Sequence, residues 1–212
     1  MYEELKKELY KAHINLEKYK LVAYTSGNVS VKVNNHVIIK PSGIPYDQLK
    51  VEDMVVLDME GNTVEGELKP SVDSATHLYL YKNLPEVGSI IHTHSPYASA
   101  FALLSQPIPV YSTAHADVFG VQVPVSNYAP VGSEAIGKAV IEVVNQAKAV
   151  LLSKHGVIVM GKDINETIRK AIFLEEVAQT ASLARTIGNP EPLDEKEAKR
   201  LYEFHHSNYG QK

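Results

Sequence analysis

Two histidines separated by one residue, His92 and His94, close the apolar run Gly88-Ser-Ile-Ile-His-Thr-His-Ser95. In a strand, side chains at i and i+2 share a face. Both imidazoles therefore address one point, at the end of a segment that a sheet would bury, and Pro96 stops the strand there. A metal site needs further ligands. Asp73, nineteen residues before His92, and His155, in Ser153-Lys-His-Gly156, are the candidates. His155 follows a second apolar strand, Ala149-Val-Leu-Leu-Ser153, as a shared site requires. Three histidines and a carboxylate make a borderline-soft N3O set, which suits Zn²⁺ best and also accepts Mn²⁺, Co²⁺ or Fe²⁺. Taken alone, His-x-His is often structural, and nine histidines make coincidence easier.

Three short turns before this strand are rich in small polar residues: Ser26-Gly27-Asn28, Ser42-Gly43 and Ser71. Any one of them is an ordinary turn. Together they are the raw material of an anion-binding nest, with main-chain N–H groups exposed beside hydroxyls and an amide. Lys40 or Lys69 adds charge, so the pattern predicts a phosphate pocket next to the metal. Asp117, in Thr113-Ala-His-Ala-Asp117, is either a loop or capping carboxylate or a general base. His115 is a spare ligand or a packed histidine. His77, one helical turn from Asp73, supports the site from behind. His13, His36, His205 and His206 are expected to be structural, and Tyr209 lies in a chain end that is ordinarily loose.

The elements that must position these groups follow from periodicity. Residues 2–18 form an amphipathic helix through Leu5, Leu9, Ala12 and Leu16. Strands follow around a hairpin at Asn34-Asn35, then at 54–58, with a hairpin turn at Glu60 to Thr63. A helix spans 73–83, the histidine strand 87–94 and a short helix 96–104. The stretch 105–132, with four prolines, reads as irregular apart from a strand at 121–125. A helix at 133–147, strands at 149–153 and 157–160, a long helix from an Asp163/Glu166 capping box to Ile187, and a last helix at about 194–206 complete the chain. The expected fold is a single α/β domain over 1–212: three layers, α/β/α, around a mixed, mostly antiparallel sheet.

Composition narrows the class. With 212 residues and 44% hydrophobic content the chain can bury a substantial core. A formal charge of −4 leaves no basic footprint for nucleic acid. The absence of cysteine removes disulfides and thiolate ligands. A charged amino-terminal stretch without a signal-type apolar region, and no run near ~18 apolar residues, predict a cytoplasmic protein with no membrane partner.

Taken in order, Ser26-Gly-Asn-Val-Ser30, Lys40-Pro-Ser-Gly43, Lys69-Pro-Ser-Val-Asp73, His77, Ile91-His-Thr-His-Ser95, His115-Ala-Asp117 and Lys154-His-Gly156 resemble the class II aldolase/epimerase family. This is the zinc-dependent superfamily of fuculose-phosphate aldolase and ribulose-phosphate 4-epimerase. The resemblance runs from about residue 2 to the end. It is closest to the 4-epimerase branch, through Asp73 where aldolases carry Glu, Thr113-Ala-His-Ala-Asp117, and Tyr209-Gly-Gln211.

The resemblance implies zinc on His92, His94 and His155, with Asp73 as fourth ligand. It implies contacts to a phosphorylated ketopentose from Gly27, Asn28, Ser42, Gly43, Ser71 and Val72. The family usually has a second serine where Val72 stands, so that contact is main-chain only. Asp117 and Tyr209 match the acid/base pair, supplied by different subunits of a homotetramer. A histidine of the epimerase carboxy-terminal helix has no match; counting back from Tyr209 reaches Ala198.

The implied reaction interconverts L-ribulose 5-phosphate and D-xylulose 5-phosphate. The C4 proton is not adjacent to the C2 carbonyl, so simple deprotonation fails. Cleavage and re-formation of the C3–C4 bond is the chemical route, with a Lewis acid stabilising the enediolate fragment. Three alternatives stand: a sugar-phosphate aldolase, a dehydratase of the methylthioribulose-phosphate type, and a non-catalytic domain like the adducin head, which is expected to have lost ligands.

Overall fold

The computed structural model describes residues 2–210. Gln211 and Lys212, the end of the tail motif, lie outside the described residues. Eight strands form one sheet: β1 (Asn28–Val33), β2 (His36–Ile39), β3 (Val55–Asp58), β4 (Thr63–Glu65), β5 (Ser89–Thr93), β6 (Val125–Ser126), β7 (Ala149–Leu152) and β8 (Val157–Gly161). Their order across the sheet is β4-β3-β2-β1-β5-β8-β7-β6. β6 and β7 pair in parallel, and the other pairings are antiparallel.

The helices are α1 (Tyr2–Lys18), α2 (Ser74–Asn83), α3 (Pro96–Leu104), α4 (Thr113–Phe119), α5 (Ala135–Val143), α6 (Ile164–Ile187) and α7 (Glu195–Asn208). The central strands are buried on both faces, and their two-residue period sorts their side chains into two cores. Val29, Val31, Ile38, Val56, Ile91, Leu151, Val157 and Val159 pack with α1, α3 and α6, through residues such as Leu9, Phe101 and Leu174. The alternate set Val37, Ile39, Val55, Leu57, Ile90, Val150, Ile158 and Met160 packs with α2 and α5, through Leu80, Tyr81, Ile136 and Val140. This is the expected three-layer α/β/α arrangement with a mostly antiparallel sheet. Among the described residues no helix is long and apolar enough to cross a membrane.

The stretch 105–132 departs from expectation. Residues Thr113–Phe119, read as irregular, form α4. Its local signals are complete: the Ser112 side chain accepts from the His115 main-chain N–H, and Gly120 closes the helix at φ 72° in the left-handed region. Flanking prolines mask so short an element. The expected strand at 121–125 shrinks to β6 at Val125–Ser126 and an isolated bridge between Ile108 and Val123. Asp117 therefore sits on a helix rather than in a loop.

Candidate metal centre and its cavity

The sheet brings the three histidines together. His92 is the penultimate residue of β5, His94 follows its end, and His155 lies in the turn between β7 and β8. β5 and β8 pair with Thr93 opposite Val157, which carries that turn up to His94. Gly156 is what allows the approach. A Cβ there would stand 2.4 Å from the Thr93 carbonyl oxygen and 2.7 Å from His94 Cδ2.

His92 Nδ1 donates to the Val157 carbonyl at 2.9 Å, because a carbonyl only accepts. Its Nε2 lone pair is thereby aimed at the cluster, 3.0 Å from His94 Nε2. The ring centroids of His94 and His155 are 5.1 Å apart, and those of His92 and His155 4.8 Å apart. One ligand atom from each of the three falls within 4.8 Å of the others. His155 Nδ1 is buried without a hydrogen-bond partner among the described residues.

Burial pushes all three imidazoles toward the neutral form; His94 and His155 also oppose the charging of His92, and His155 that of His94. His92 is held down to about 3, by burial first, with the Asp73 charge opposing. Neutral nitrogens converging on one point are what a divalent metal requires, and the residues present fit one.

Asp73 stands beside this trio but is not part of the group. It occupies the N-cap position of α2 without capping it. Its Oδ2 instead accepts from Asn28 Nδ2 at 2.8 Å, and Asn28 Nδ2 also donates to Ser71 Oγ at 3.0 Å. Leaving a cap unused forgoes about 1 kcal/mol, so the carboxylate is committed to the site. Burial raises its pKa, but the charges of His92 and His77, the Asn28 hydrogen bond and His155 outweigh this and hold it low. Asn28 is itself placed by register, opposite His92 across β1 and β5.

The serine- and glycine-rich turns close around the same point. Pro41 and Pro70 form an antiparallel bridge, with Ser42 N–H on the Lys69 carbonyl at 2.9 Å and Ser71 N–H on the Lys40 carbonyl at 3.0 Å. Gly27 is tight and left-handed (φ 74°), and a Cβ there would meet the His92 carbonyl oxygen at 2.8 Å. Gly27, Asn28, Ser42, Gly43, Ser71, Val72, Asp73, His92, His94 and His155 line one cavity of about 310 Å³. Val72 and Val131 form its apolar part.

Lys40 is the member whose importance the sequence left open. It is 1% exposed and lines the cavity, and no carboxylate lies within ion-pair distance among the described residues. Its Nζ is 3.3 Å from the Pro41 carbonyl and 5.3 Å from the Tyr46 ring centre. Burial lowers its pKa.

Asp117 and Tyr209 do not line this cavity. Asp117 on α4 has Oδ2 3.7 Å from Nδ1 of His205 on α7, and the His205 ring stacks on Tyr209 at 4.3 Å and 19°. Both expected acid/base residues thus surround one histidine, His205, that the sequence reading takes as structural. No local signal marks His205, because the packing of α7 on α4 brings it there. His115 is packed: burial pushes it down to about 4, and it contacts the Val121 carbonyl at 3.0 Å. His13 bridges the Leu9 carbonyl and the Val29 N–H, as a structural histidine does.

Comparison with known proteins agrees with this architecture. Residues 7–182 match the family described as Class II Aldolase and Adducin N-terminal domain. The chain is 38% identical to L-ribulose-5-phosphate 4-epimerase UlaF of Salmonella paratyphi B (strain ATCC BAA-1250 / SPB7), covering 99% of this chain and 100% of that one. Among solved structures, an L-fuculose 1-phosphate aldolase superposes with a TM-score of 0.87 at 32% identity, covering 94% of this chain and 95% of that one. The L-fuculose 1-phosphate aldolase from Glaciozyma antarctica PI12 follows at 0.79 and 25%, covering 95% and 81%. With the fold, the histidine cluster and a match across most of its length in agreement, the chain belongs to the class II aldolase and adducin N-terminal domain family.

Proposed function

We propose that the protein is a zinc-dependent sugar-phosphate 4-epimerase that interconverts L-ribulose 5-phosphate and D-xylulose 5-phosphate. The observation that carries this reading is one cavity holding both the three-histidine cluster and the paired Lys40–Gly43 and Lys69–Ser71 turns. The intact cluster argues against a purely adducin-like, non-catalytic role.

His92, His94 and His155 would hold the metal, with Asp73 as fourth ligand, and when bound it would supply Lewis-acid stabilisation of the enediolate fragment. The turns and Lys40 take the phosphate: Ser42, Gly43 and Ser71 offer main-chain and hydroxyl donors, and Lys40 supplies a buried charge lacking a counter-ion of its own. That grip keeps the two-carbon aldehyde fragment in place while its carbonyl turns over.

Two proton-transfer groups are required. One removes the C4 hydroxyl proton as C3–C4 breaks, and the other returns a proton to the re-added oxygen on the opposite face. Asp117 and Tyr209, grouped at His205, fill these roles in a homotetramer that sets this cluster of one subunit at the cavity of its neighbour.

The test is ¹³C NMR of zinc-loaded protein with L-ribulose 5-phosphate. D-Xylulose 5-phosphate without free aldehyde supports the epimerase. Accumulating glycolaldehyde phosphate and dihydroxyacetone identify an aldolase, the second reading, which the 32% identity to an L-fuculose 1-phosphate aldolase favours. No turnover with metal bound rejects the substrate.

A further inference from the structure

Behind Asp73 lies a chain of buried polar groups that the proposed reaction leaves unused. Tyr81 OH is 2.7 Å from Ser30 Oγ, and Ser30 Oγ is 2.7 Å from His77 Nδ1. Ser30 and His77 are 0% exposed and Tyr81 2%. His77 Nε2 is buried with no hydrogen-bond partner among the described residues.

The protons along this chain can be placed. A buried phenol must donate its single proton, and Ser30 Oγ is the acceptor within reach. Ser30, having accepted there, donates its own proton to His77 Nδ1. Nδ1 is then an acceptor, so the neutral ring carries its hydrogen on Nε2. The opposite order would strand the Tyr81 proton.

Asp73 lies close enough for its charge to act on the His77 ring. Asp73 is the N-cap of α2 and His77 lies four residues on, one turn along the same face. Ser30 and Asn28 alternate with Val29 and Val31, which puts both on the α2 side of β1. Asn28 already holds Asp73 Oδ2.

We propose that His77 is a positioning residue for Asp73. Its Nε2–H tautomer, set by the Tyr81–Ser30 hydroxyl chain, donates to the carboxylate that Asn28 holds from the other side. Two donors then orient Asp73 toward the three histidines as an anion. A charge-assisted contact of this kind behind a metal ligand is worth roughly 10- to 100-fold in metal affinity. The inference rests on the reading of Asp73 as fourth ligand.

The experiment measures Zn²⁺ affinity by chelator competition in the full-length protein and its H77L, H77Q, S30A and D73A variants. ¹⁵N spectra of labelled histidine report the His77 tautomer, and thermal melts of the metal-free forms confirm folding. The expected results are an Nε2–H tautomer in the parent, lost in S30A, and Zn²⁺ binding weakened roughly 10-fold or more in H77L and S30A. H77Q, whose terminal amide replaces the Nε2 donor, regains most of the affinity. An Nδ1–H tautomer in the parent overturns the proposal. So does parent-like affinity in H77L and S30A beside a weakened D73A. Parent-like affinity in D73A overturns the ligand reading itself, and the inference with it.

Discussion

His92 Nε2 and His94 Nε2 lie 3.0 Å apart, with His155 closing the third side. The Val157 carbonyl leaves His92 Nε2 an acceptor, and a shared cation would take both nitrogens in place of the single proton that can lie between them. Replacing His155 with alanine should lower Zn²⁺ affinity by roughly 100-fold or more, at or beyond the upper end of the effects seen for groups that merely support a ligand. Metal content per chain after dialysis, with turnover measured in parallel, checks this. Chelator treatment of the parent should abolish turnover, and added Zn²⁺ should restore it.

Lys40 carries a buried charge without a carboxylate partner. Lys40→Met keeps the length and apolar stem but removes the charge. Hydrogen bonds to charged groups contribute about 1.5–3 kcal/mol, so KM for the phosphorylated sugar should rise roughly 10- to 100-fold. Metal content should stay unchanged. An equal rise with a non-phosphorylated ketopentose would place Lys40 elsewhere than at the phosphate.

Asp117 and Tyr209 meet through His205. Asp117→Asn and Tyr209→Phe should each lower kcat by roughly 10²- to 10⁴-fold, the range of a general acid or base, while zinc stays bound. His205→Ala should show a smaller loss in the same direction. Steady-state kinetics beside metal analysis separates these from the cavity variants, and full activity in either Asp117→Asn or Tyr209→Phe would remove that residue from the mechanism.

His13 is fully buried and held down to about 3, mainly by desolvation, with the Leu9 carbonyl opposing and the Lys40 charge adding to the shift. Its unfolded value is near 6.5. The folded form therefore binds fewer protons below 6.5, and stability falls as pH drops from about 6.5 toward 3. Between pH 6.5 and 5 this one residue should cost the fold up to about 2 kcal/mol. Denaturant melts of the metal-free protein at several pH values should show that decline, with a shallower slope in His13→Gln.

Much of the architecture was legible in local patterns. The i, i+2 spacing of His92 and His94, the apolar strands ending at both histidine segments, and the small polar turns predicted a metal beside an anion pocket. The Asp163 cap is present, its side chain accepting from the Glu166 N–H, and the long helix ends at Ile187 as expected. The seven-residue α4 was missed because its cap and its closing glycine sit among prolines and its run is too short to show a helical period.

By itself the sequence determined the element types, the two-core alternation of the central strands, and a set of candidate ligands at strand ends. Those are consequences of period, propensity and turn chemistry, which act over a few residues. Only the tertiary structure decided which candidates meet. His155 joins His94 because β8 pairs with β5 in one register, and Asn28 reaches Asp73 because β1 pairs with β5 opposite His92. A slip of one residue would have turned each side chain to the other face. His205 met Asp117 and Tyr209 by the packing of α7 on α4, and His77 was drawn into a hydroxyl chain by the facing of α2 and β1. Contacts between residues tens of positions apart depend on how elements dock, and no local pattern encodes that.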